Sequence, residues 1–311
     1  MKISPPRGRV EDLSVSHLHT FRLVMQHGGY ASAAKASGMS VPSVWQHIRS
    51  LESIYAVKLF EKVGRQVQPT DSAKRLFDQV DQVLVHLEST FDHVDNSQAE
   101  RLIRLVVGTR MMMEDLALPL AAFRKRHRNQ LVIRQGNEQR AEERLLADET
   151  DIALTLEPGP YQRSPRIHYE RAYTVDFLAI AARKHAFAKS GTSSLRELVK
   201  HELVVTTVGT HGRDTLEQAL HRDGLSATIA IETDNSAFTI ACVAAGMGVG
   251  VLAGRGKGTL CKNLLSRSLT KQLGQRNIVF MWRKGTLLSR PMLDFVDHVR
   301  RLDADWNASN P

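Results

Sequence analysis

The 311-residue chain is 42% hydrophobic, which is enough for a packed core and for two or three domains. Cys242 and Cys261 are its only cysteines, which excludes a disulfide framework and fits a reducing cytoplasm. The sequence contains no long apolar segment and no signal peptide. We therefore expect a cytoplasmic protein with no membrane partner.

The formal net charge of +9 is unevenly distributed along the chain. Residues 1–75 carry eleven Lys or Arg against five Asp or Glu, a balance of +6, whereas the remainder carries 31 against 28, a balance of +3. A basic segment joined to a nearly neutral one indicates a module that binds a polyanion beside a module with another role. Charge alone does not distinguish nucleic acid from an anionic membrane.

The first forty residues predict two short helices. Leu18, Phe21 and Met25 recur at spacings of three and four and form one apolar face. Residues 31–36 are mostly alanine and serine, and Gly38 can supply a sharp turn after them. Small side chains let a second helix pass at close range, which is the requirement of a helix-turn-helix crossing.

Residues 40–52 predict the third helix, on which we base the functional interpretation. Ser40 can act as its N-cap, and proline at position 42 is tolerated in a first turn. One face is apolar and consists of Val44, Ile48, Leu51 and Tyr55. The opposite face carries Pro42, Trp45, Gln46 and Arg49. Such a helix suits the major groove of DNA, although the stretch alone could be an ordinary amphipathic surface helix.

A two-stranded hairpin is predicted next. Residues 57–62 and 67–69 flank Gly64-Arg65-Gln66, and this arrangement is typical of the wing in a winged helix-turn-helix. Lys62 and Arg65 there would contact phosphate or the minor groove. The complete set of predicted DNA-binding residues is Ser40, Pro42, Ser43, Trp45, Gln46, Arg49, Lys62 and Arg65.

A long helix is predicted from Thr70-Asp71 onward, because a cap and a negative charge favour a helix N-terminus. Its apolar positions recur at three or four residues, as in a coiled coil. This seam comprises Leu76, Val80, Val83, Leu87, Phe91 and Val94. The seam could dock on the chain's own core, but we favour pairing with a second copy since the preceding module is already complete.

In the second part of the chain, short apolar runs alternate with helical stretches, which indicates an α/β fold with largely parallel sheets. Segments 177–180 and 278–282 are interpreted as the crossing into a second lobe and the return. Ligands of such folds bind beyond the carboxyl ends of strands, near helix N-termini. Helix amides and a guanidinium would favour an anion there, although each polar residue could instead be a helix cap or a surface group. The predicted effector-binding residues are Thr109, Arg110, Thr207, Thr210 and Asn235.

The N-terminal pattern resembles the LysR-type transcriptional regulators. The resemblance rests on Phe21, Gly28, Tyr30, Ala33-Ala34, Ser40, Pro42, Ile48, Leu51-Glu52, Leu59-Phe60, Gly64-Arg65 and Thr70. Val41 and Trp45 depart from the family, which often has glutamine and serine at these two positions. Both lie on or beside the presumed base-reading face, so the preferred DNA sequence does not follow from relatives.

The resemblance implies an α+β multidomain protein. It predicts a winged helix-turn-helix at 13–72, a dimerisation linker helix at 73–98, and a two-lobed α/β, periplasmic-binding-protein-like effector domain at 101–305. The implied function is sequence-specific promoter binding to double-stranded DNA, controlled by a small-molecule effector that is an anionic metabolite. The implied assembly is a homodimer or a dimer of dimers, that is, a homotetramer.

The sequence contains no complete motif for catalysis or metal binding. There is no complete phosphate loop, nucleophile elbow or zincin helix. We therefore expect no enzyme activity, no catalytic residue, no metal and no cofactor. Two alternatives remain, namely a ligand-independent architectural DNA binder, and a solute-binding or enzyme-like protein with a vestigial helix-turn-helix.

Overall fold

The chain forms two compact units in the computed structural model. The first unit comprises Met1–Asp95 with Arg283–Leu287, and the second comprises Asn96–Trp282 with Leu288–Pro311. The structure describes residues 8–63, 66–94, 102–255 and 259–309. The domain boundaries at 13–72, 73–98 and 101–305 stay predictions.

Three helices and a hairpin precede a long helix in the first unit. Their bounds are α1 Val15–His27, α2 Tyr30–Ser37, α3 Val41–Tyr55, β1 Phe60–Val63, β2 Gln66–Pro69 and α4 Asp71–Val94. Gly38 ends α2 at a φ of 69°, a left-handed conformation that glycine adopts without a Cβ clash. The predicted turn between α2 and α3 is thereby confirmed.

The core of the first unit is built from the apolar faces of these helices. Phe21, Val44, Ile48 and Leu51 are each at most 1% exposed, as the spacing predicted, and Tyr55 packs against them while partly buried. Burying each of the larger side chains contributes about 1.5–3 kcal/mol relative to leaving it in water. The opposite face of α3 is consequently held at the surface.

The apolar seam of α4 is divided between two environments. Leu76 and Val80 pack on the core of the first unit, so docking on the chain's own core is correct for the first half of the helix. Further along, three predicted seam positions are exposed: Val83 by 51%, Leu87 by 39% and Phe91 by 77%. The side chain of Val94, the last predicted position, lies outside the described residues.

The second unit alternates strands and helices. The strands are β3 Ile103–Val107, β4 Leu131–Gln135, β5 Ile152–Leu156, β6 Ile167–Ala182, β7 Leu203–Thr206, β8 Ile229–Thr233, β9 Val249–Gly254, β10 Leu264–Ser268 and β11 Gln275–Arg283. The helices are α5 Thr109–Met111, a π-helical turn Met112–Leu116, α6 Ala117–Arg126, α7 Glu138–Leu146, α8 Ala186–Lys189, α9 Leu195–Leu198, α10 His211–Arg222, α11 Ser236–Ala244, α12 Thr270–Leu273 and α13 Arg290–Ser309.

The strands form one sheet in the order β4-β3-β5-β11-β6-β9-β7-β8, with β10 also paired to β6. Pairing is parallel around β3 in the first lobe and around β7 in the second. The long strands β6 and β11 link the lobes and pair antiparallel with β9, β10 and β5. The prediction of largely parallel sheets therefore requires correction at the linking strands, whereas the crossing segments 177–180 and 278–282 are confirmed as strands.

Candidate nucleic-acid interface and ligand cleft

The start of α3 is fixed by two serine hydroxyls. Ser40 is the N-cap, and its Oγ accepts a hydrogen bond from the Ser43 amide at 3.2 Å. The hydroxyls of Ser40 and Ser43 are 2.7 Å apart, and Pro42 lies in the first turn. Ser40 and Ser43 were predicted to bind DNA, and the structure places their hydroxyls in the cap that orients the helix.

The exposed face of α3 presents three groups suited to a DNA groove. Trp45 is 48% exposed, and Gln46 and Arg49 are exposed beside it. The Arg49 guanidinium carbon lies 5.0 Å from the centroid of the Trp45 ring, within cation–π range. Amide and guanidinium groups pair with base edges in the major groove, and apolar groups contact thymine methyls. The structure thus brings the predicted base-reading residues to one surface.

Glu52 supports this surface from the buried side, and it was missing from the predicted site. Its Oε1 accepts from the backbone amides of Leu59 at 2.9 Å and Phe60 at 3.3 Å, while its Oε2 accepts from Arg49 and Lys58. Burial alone would raise the pKa of Glu52, but these two amides and Lys58 hold that pKa below its ordinary value. Glu52 is therefore the anion that links α3 to the hairpin.

The hairpin forms as predicted, with Phe60 opposite Pro69 and Val63 opposite Gln66. Lys62 is exposed on β1, where a flexible ammonium can reach phosphate. Arg65 and its neighbour Gly64, which form the predicted tip, lie outside the described residues. The wing interpretation therefore rests on the paired strands and on Lys62.

The second unit contains a cleft of about 850 Å³, measured out to its open mouth. It lies at the carboxyl ends of β3, β4, β7 and β8, as expected of an α/β fold. Four of the five predicted residues line it, namely Thr109, Arg110, Thr210 and Asn235. The fifth, Thr207, follows the lining residue Thr206, and its hydroxyl donates to the Thr233 carbonyl at 2.9 Å.

Four helices begin at the cleft, and three of them are capped by their own side chains. Asn137, Thr210 and Asn235 accept hydrogen bonds from first-turn amides of α7, α10 and α11, so the alternative role as helix caps is realised at Thr210 and Asn235. Helix α5 begins after Gly108 without a side-chain cap. Its first-turn amides have no intrahelical acceptor and can serve an anion.

Arg110 lines the cleft but is already paired with carboxylates. It is 5% exposed, and its guanidinium contacts Glu114 at 2.8 Å and Asp115 at 3.3 Å. Burial works against its charge, but the two carboxylates dominate and raise the pKa of Arg110. Asp115 also accepts from the Tyr173 hydroxyl at 2.7 Å. Arg110 is thus part of a buried network in which its charge is already compensated by carboxylates.

A second cleft arginine, Arg213, was missed in the sequence. It is 8% exposed and lines the cleft beside Thr210. Its guanidinium pairs with Glu217 at 2.7 Å and with Glu232 at 3.3 Å. A spacing of four residues between an arginine and a glutamate is typical of a surface helix pair, so no local signal in the sequence identifies the place of Arg213 in the cleft.

The two cysteines lie in one apolar cluster of the second unit. Cys261 is buried, and burial together with the nearby Glu114 carboxylate raises the pKa of its thiol to about 11. The thiol is therefore protonated at neutral pH, and a protonated thiol is a poor nucleophile. Cys261 is better suited to packing than to redox chemistry.

Neither a membrane-spanning helix nor a cluster of metal ligands occurs among the described residues. Within residues 8–63, 66–94, 102–255 and 259–309, no helix combines the length and apolar character needed to cross a membrane. Over the same residues, no three or more His, Cys, Asp or Glu side chains are grouped so that they could hold a metal ion.

Comparison with known families identifies both units. Residues 15–74 match the family described as "Bacterial regulatory helix-turn-helix protein, lysR family", and residues 96–304 match the "LysR substrate binding domain". The chain belongs to the LysR family. It is a DNA-binding transcriptional regulator with an effector-binding domain, which confirms the resemblance of the N-terminal pattern and the predicted fold class.

Individual LysR relatives are similar over most of their length. CysB of Haemophilus influenzae is 25% identical over 282 residues, covering 89% of this chain and 86% of the relative. The uncharacterised regulator YwqM of Bacillus subtilis is 24% identical over 303 residues, covering 93% and 99%.

Solved structures show the same LysR fold. HinK, a LysR family regulator of Pseudomonas aeruginosa, is 20% identical with a TM-score of 0.55, covering 93% of this chain and 98% of that one. The cofactor-binding domain of the Cbl regulator is 18% identical with a TM-score of 0.58, covering 70% and 96%.

Proposed function

We propose that this LysR regulator binds promoter DNA sequence-specifically, with α3 in the major groove and the wing on the backbone. The observation that carries the proposal is the single exposed surface of Trp45, Gln46 and Arg49 on a helix whose other face is buried. The capping hydroxyls of Ser40 and Ser43 and the ring of Pro42 border this surface. Lys62 and Arg65 would anchor the wing.

The wing contacts are tested through the salt dependence of binding. Arg65→Ala and Lys62→Ala should each weaken binding to all sequences alike and reduce the slope of log affinity against log salt by about one. Gel-shift titrations at several salt concentrations give that slope. Lys184→Ala, an exposed lysine of the second unit, is the matched control and should leave the slope unchanged. A wing variant with the parent slope would contradict the role.

Base reading by Gln46 is tested through sequence preference. The Gln46 amide can pair with adenine N6 and N7, a contact worth about 1–3 kcal/mol of discrimination. Gln46→Ala should therefore change the sequences selected from a random duplex library while retaining affinity for non-specific DNA. Equal loss on selected and random DNA would show that Gln46 does not read bases.

We propose further that the effector is a small carboxylate bound in the cleft. Because Arg110 and Arg213 are both paired with carboxylates, the uncapped amides at the start of α5 are the stronger anion site. Thr109, Thr210 and Asn235 line the same cleft as those amides, and Thr207 follows the lining residue Thr206. Effector binding would shift closure of the two lobes joined by β6 and β11.

The α5 amides are tested by a substitution that removes one N–H. Proline is tolerated at the first position of a helix, and Gly108 has the extended conformation that a following proline requires. In a thermal-shift screen of small carboxylates and their neutral amides, we expect carboxylates alone to raise the melting temperature. Thr109→Pro should weaken binding of that carboxylate about tenfold, the loss expected for one charge-assisted hydrogen bond.

The control for this experiment is Thr109→Ala, which removes the hydroxyl but retains the amide. It should bind the carboxylate within about twofold of the parent chain, provided that the amide is the main contact. If Thr109→Ala and Thr109→Pro were equally impaired, the hydroxyl would be the ligand group. If neutral amides raised the melting temperature as well as carboxylates do, the anionic class would be wrong.

We propose that the regulator acts in the cytoplasm, where bacterial DNA lies, and that it has no enzyme activity.

We propose further that it assembles through α4 as a dimer or a dimer of dimers. Val83, Leu87 and Phe91 form an exposed apolar face that pairing would cover. In a symmetric dimer, Leu87→Asp places one aspartate from each subunit in the interface. Dimerisation measured by sedimentation equilibrium should weaken at least about 100-fold. Leu87→Met, which keeps an apolar side chain, should still dimerise, and a dimeric Leu87→Asp chain would exclude this interface.

A further inference from the structure

Trp45 and Arg49 together point to a specific pair of bases. We infer that they form a composite reader in which the Trp45 indole contacts a thymine C5-methyl and the Arg49 guanidinium binds the guanine of an adjacent base pair. The inference rests on the proposed placement of α3 in the major groove. It assigns two bases of the target DNA from the side chains of α3, and one of these side chains, Trp45, departs from the family pattern.

The two side chains act as one unit because they are stacked. They are four residues apart, so they lie one above the other on α3, and the guanidinium carbon is 5.0 Å from the indole centroid. Trp45 is 48% exposed, although its ring is the largest apolar group on this face. An exposed indole at the centre of a DNA-facing helix has an apolar surface for a partner to cover.

The Arg49 guanidinium is also held by a carboxylate. Its Nη1 donates to Glu52 Oε2 at 3.2 Å, and Glu52 is itself fixed by the amides of Leu59 and Phe60. Arg49 is therefore positioned by an indole and a carboxylate before DNA arrives. Ordering a long side chain in advance reduces the entropy lost on binding. Among the described contacts, Glu52 engages only Nη1, so the remaining donors can face a base.

The chemistry of these groups selects the bases. Guanine presents N7 and O6 to a bidentate arginine, and thymine is the base that carries a C5-methyl for apolar contact. Successive bases of a strand are about 3.4 Å apart, so two side chains in stacking contact are placed to reach neighbouring bases and not distant ones. A thymine and a guanine in neighbouring base pairs satisfy both groups at once.

Modified DNA tests the reader without altering the protein. A random duplex library selected on the full-length wild-type chain first provides a binding site. Single thymines of that site are then replaced by deoxyuridine, which lacks only the methyl group, and single guanines by 7-deazaguanine, which lacks the N7 acceptor. One uracil should weaken binding about fourfold, the value of a buried methyl. One deazaguanine in the adjacent base pair should weaken it about tenfold.

Variants assign each effect to a side chain. Trp45→Ala should bind the thymine and uracil duplexes equally, Trp45→Phe should retain part of the difference, and Arg49→Gln should lose the deazaguanine effect. Ser53→Ala, an exposed position near the end of α3, is the control and should behave as the parent chain. Measuring the parent chain on every duplex keeps the test independent of whether a variant folds.

The outcomes separate this inference from the proposed function. If the wild-type chain selects no sequence, sequence-specific binding itself is wrong. If it selects a site in which no uracil substitution matters, or in which the sensitive thymine and guanine lie more than one base pair apart, the composite reader is overturned. Retention of the uracil effect by Trp45→Ala would overturn it as well.

Discussion

Replacing Arg110 by alanine is expected to destabilise the second unit by about 3–5 kcal/mol, because it leaves two buried carboxylates without their main partner. Glu114 and Asp115 are each less than a tenth exposed, and Arg110 contacts both. Native-state hydrogen exchange read by mass spectrometry reports the two units separately, so the loss should be confined to peptides of the second unit. DNA binding by α3 should change far less.

The control for Arg110→Ala is an arginine pair at the surface. Arg140 and Glu143 are 3.9 Å apart and more than half exposed, so Arg140→Ala should change stability by less than about 0.5 kcal/mol. A quadruple variant, Arg110→Met and Arg255→Met with Glu114→Gln and Asp115→Asn, should recover most of the lost stability because all four charges of this network are then removed. A loss below about 1 kcal/mol for Arg110→Ala would mean that water solvates the carboxylates in its place.

The helix-turn-helix could be predicted because its determinants are local. The spacing of Val44 and Ile48 in α3, the cap at Ser40 and the glycine at position 38 each act within a few residues. Local rules of this kind specify both the helices and the face that is buried. The exposed face of α3 then follows as the complement of the buried one.

The buried network around Arg110 could not be predicted from spacing, because the burial of Glu114 and the contact with Asp115 depend on how the chain folds. Glu114 and Asp115 are consecutive, and in an α-helix consecutive side chains point about 100° apart. The π-helical turn over Met112–Leu116 widens the helix, and both carboxylates are buried against Arg110. The sequence indicated Arg110 as a free cation at the cleft, whereas its neutralisation is a property of the folded chain.

The carboxylates that pair with Arg110 also contact the second lobe. Asp115, in the π-helical turn of the first lobe, also lies 3.6 Å from Arg255, which follows β9 of the second lobe. The Glu114 carboxylate accepts from the Leu260 amide at 2.8 Å. The buried network therefore joins the two lobes at the cleft. If the proposed effector binds the α5 amides, it would lie beside Arg110, the residue of this network that lines the cleft.

Replacing Glu52 by alanine is expected to destabilise the first unit by about 2–5 kcal/mol, since it leaves the buried amides of Leu59 and Phe60 without an acceptor. Glu52→Gln retains one acceptor oxygen and should cost roughly half as much. Hydrogen exchange of peptides from α3 and β1 measures both losses. Glu61→Gln, on the exposed side of β1, should have no measurable effect. A Glu52→Ala chain as stable as the parent would contradict the role of Glu52 in linking α3 to the hairpin.

The pH dependence of the first unit follows from the same carboxylate. Because the pKa of Glu52 is lower in the folded than in the unfolded chain, its ionised form contributes stability that is fully present above the unfolded value of about 4.3. That contribution is lost as the pH falls through the folded pKa, since protonation weakens the bonds to the two amides. The Glu52→Gln chain should therefore show a shallower loss of stability in this acid window than the parent. Identical pH profiles for the two chains would mean that the carboxylate charge does not stabilise the junction of α3 and the hairpin.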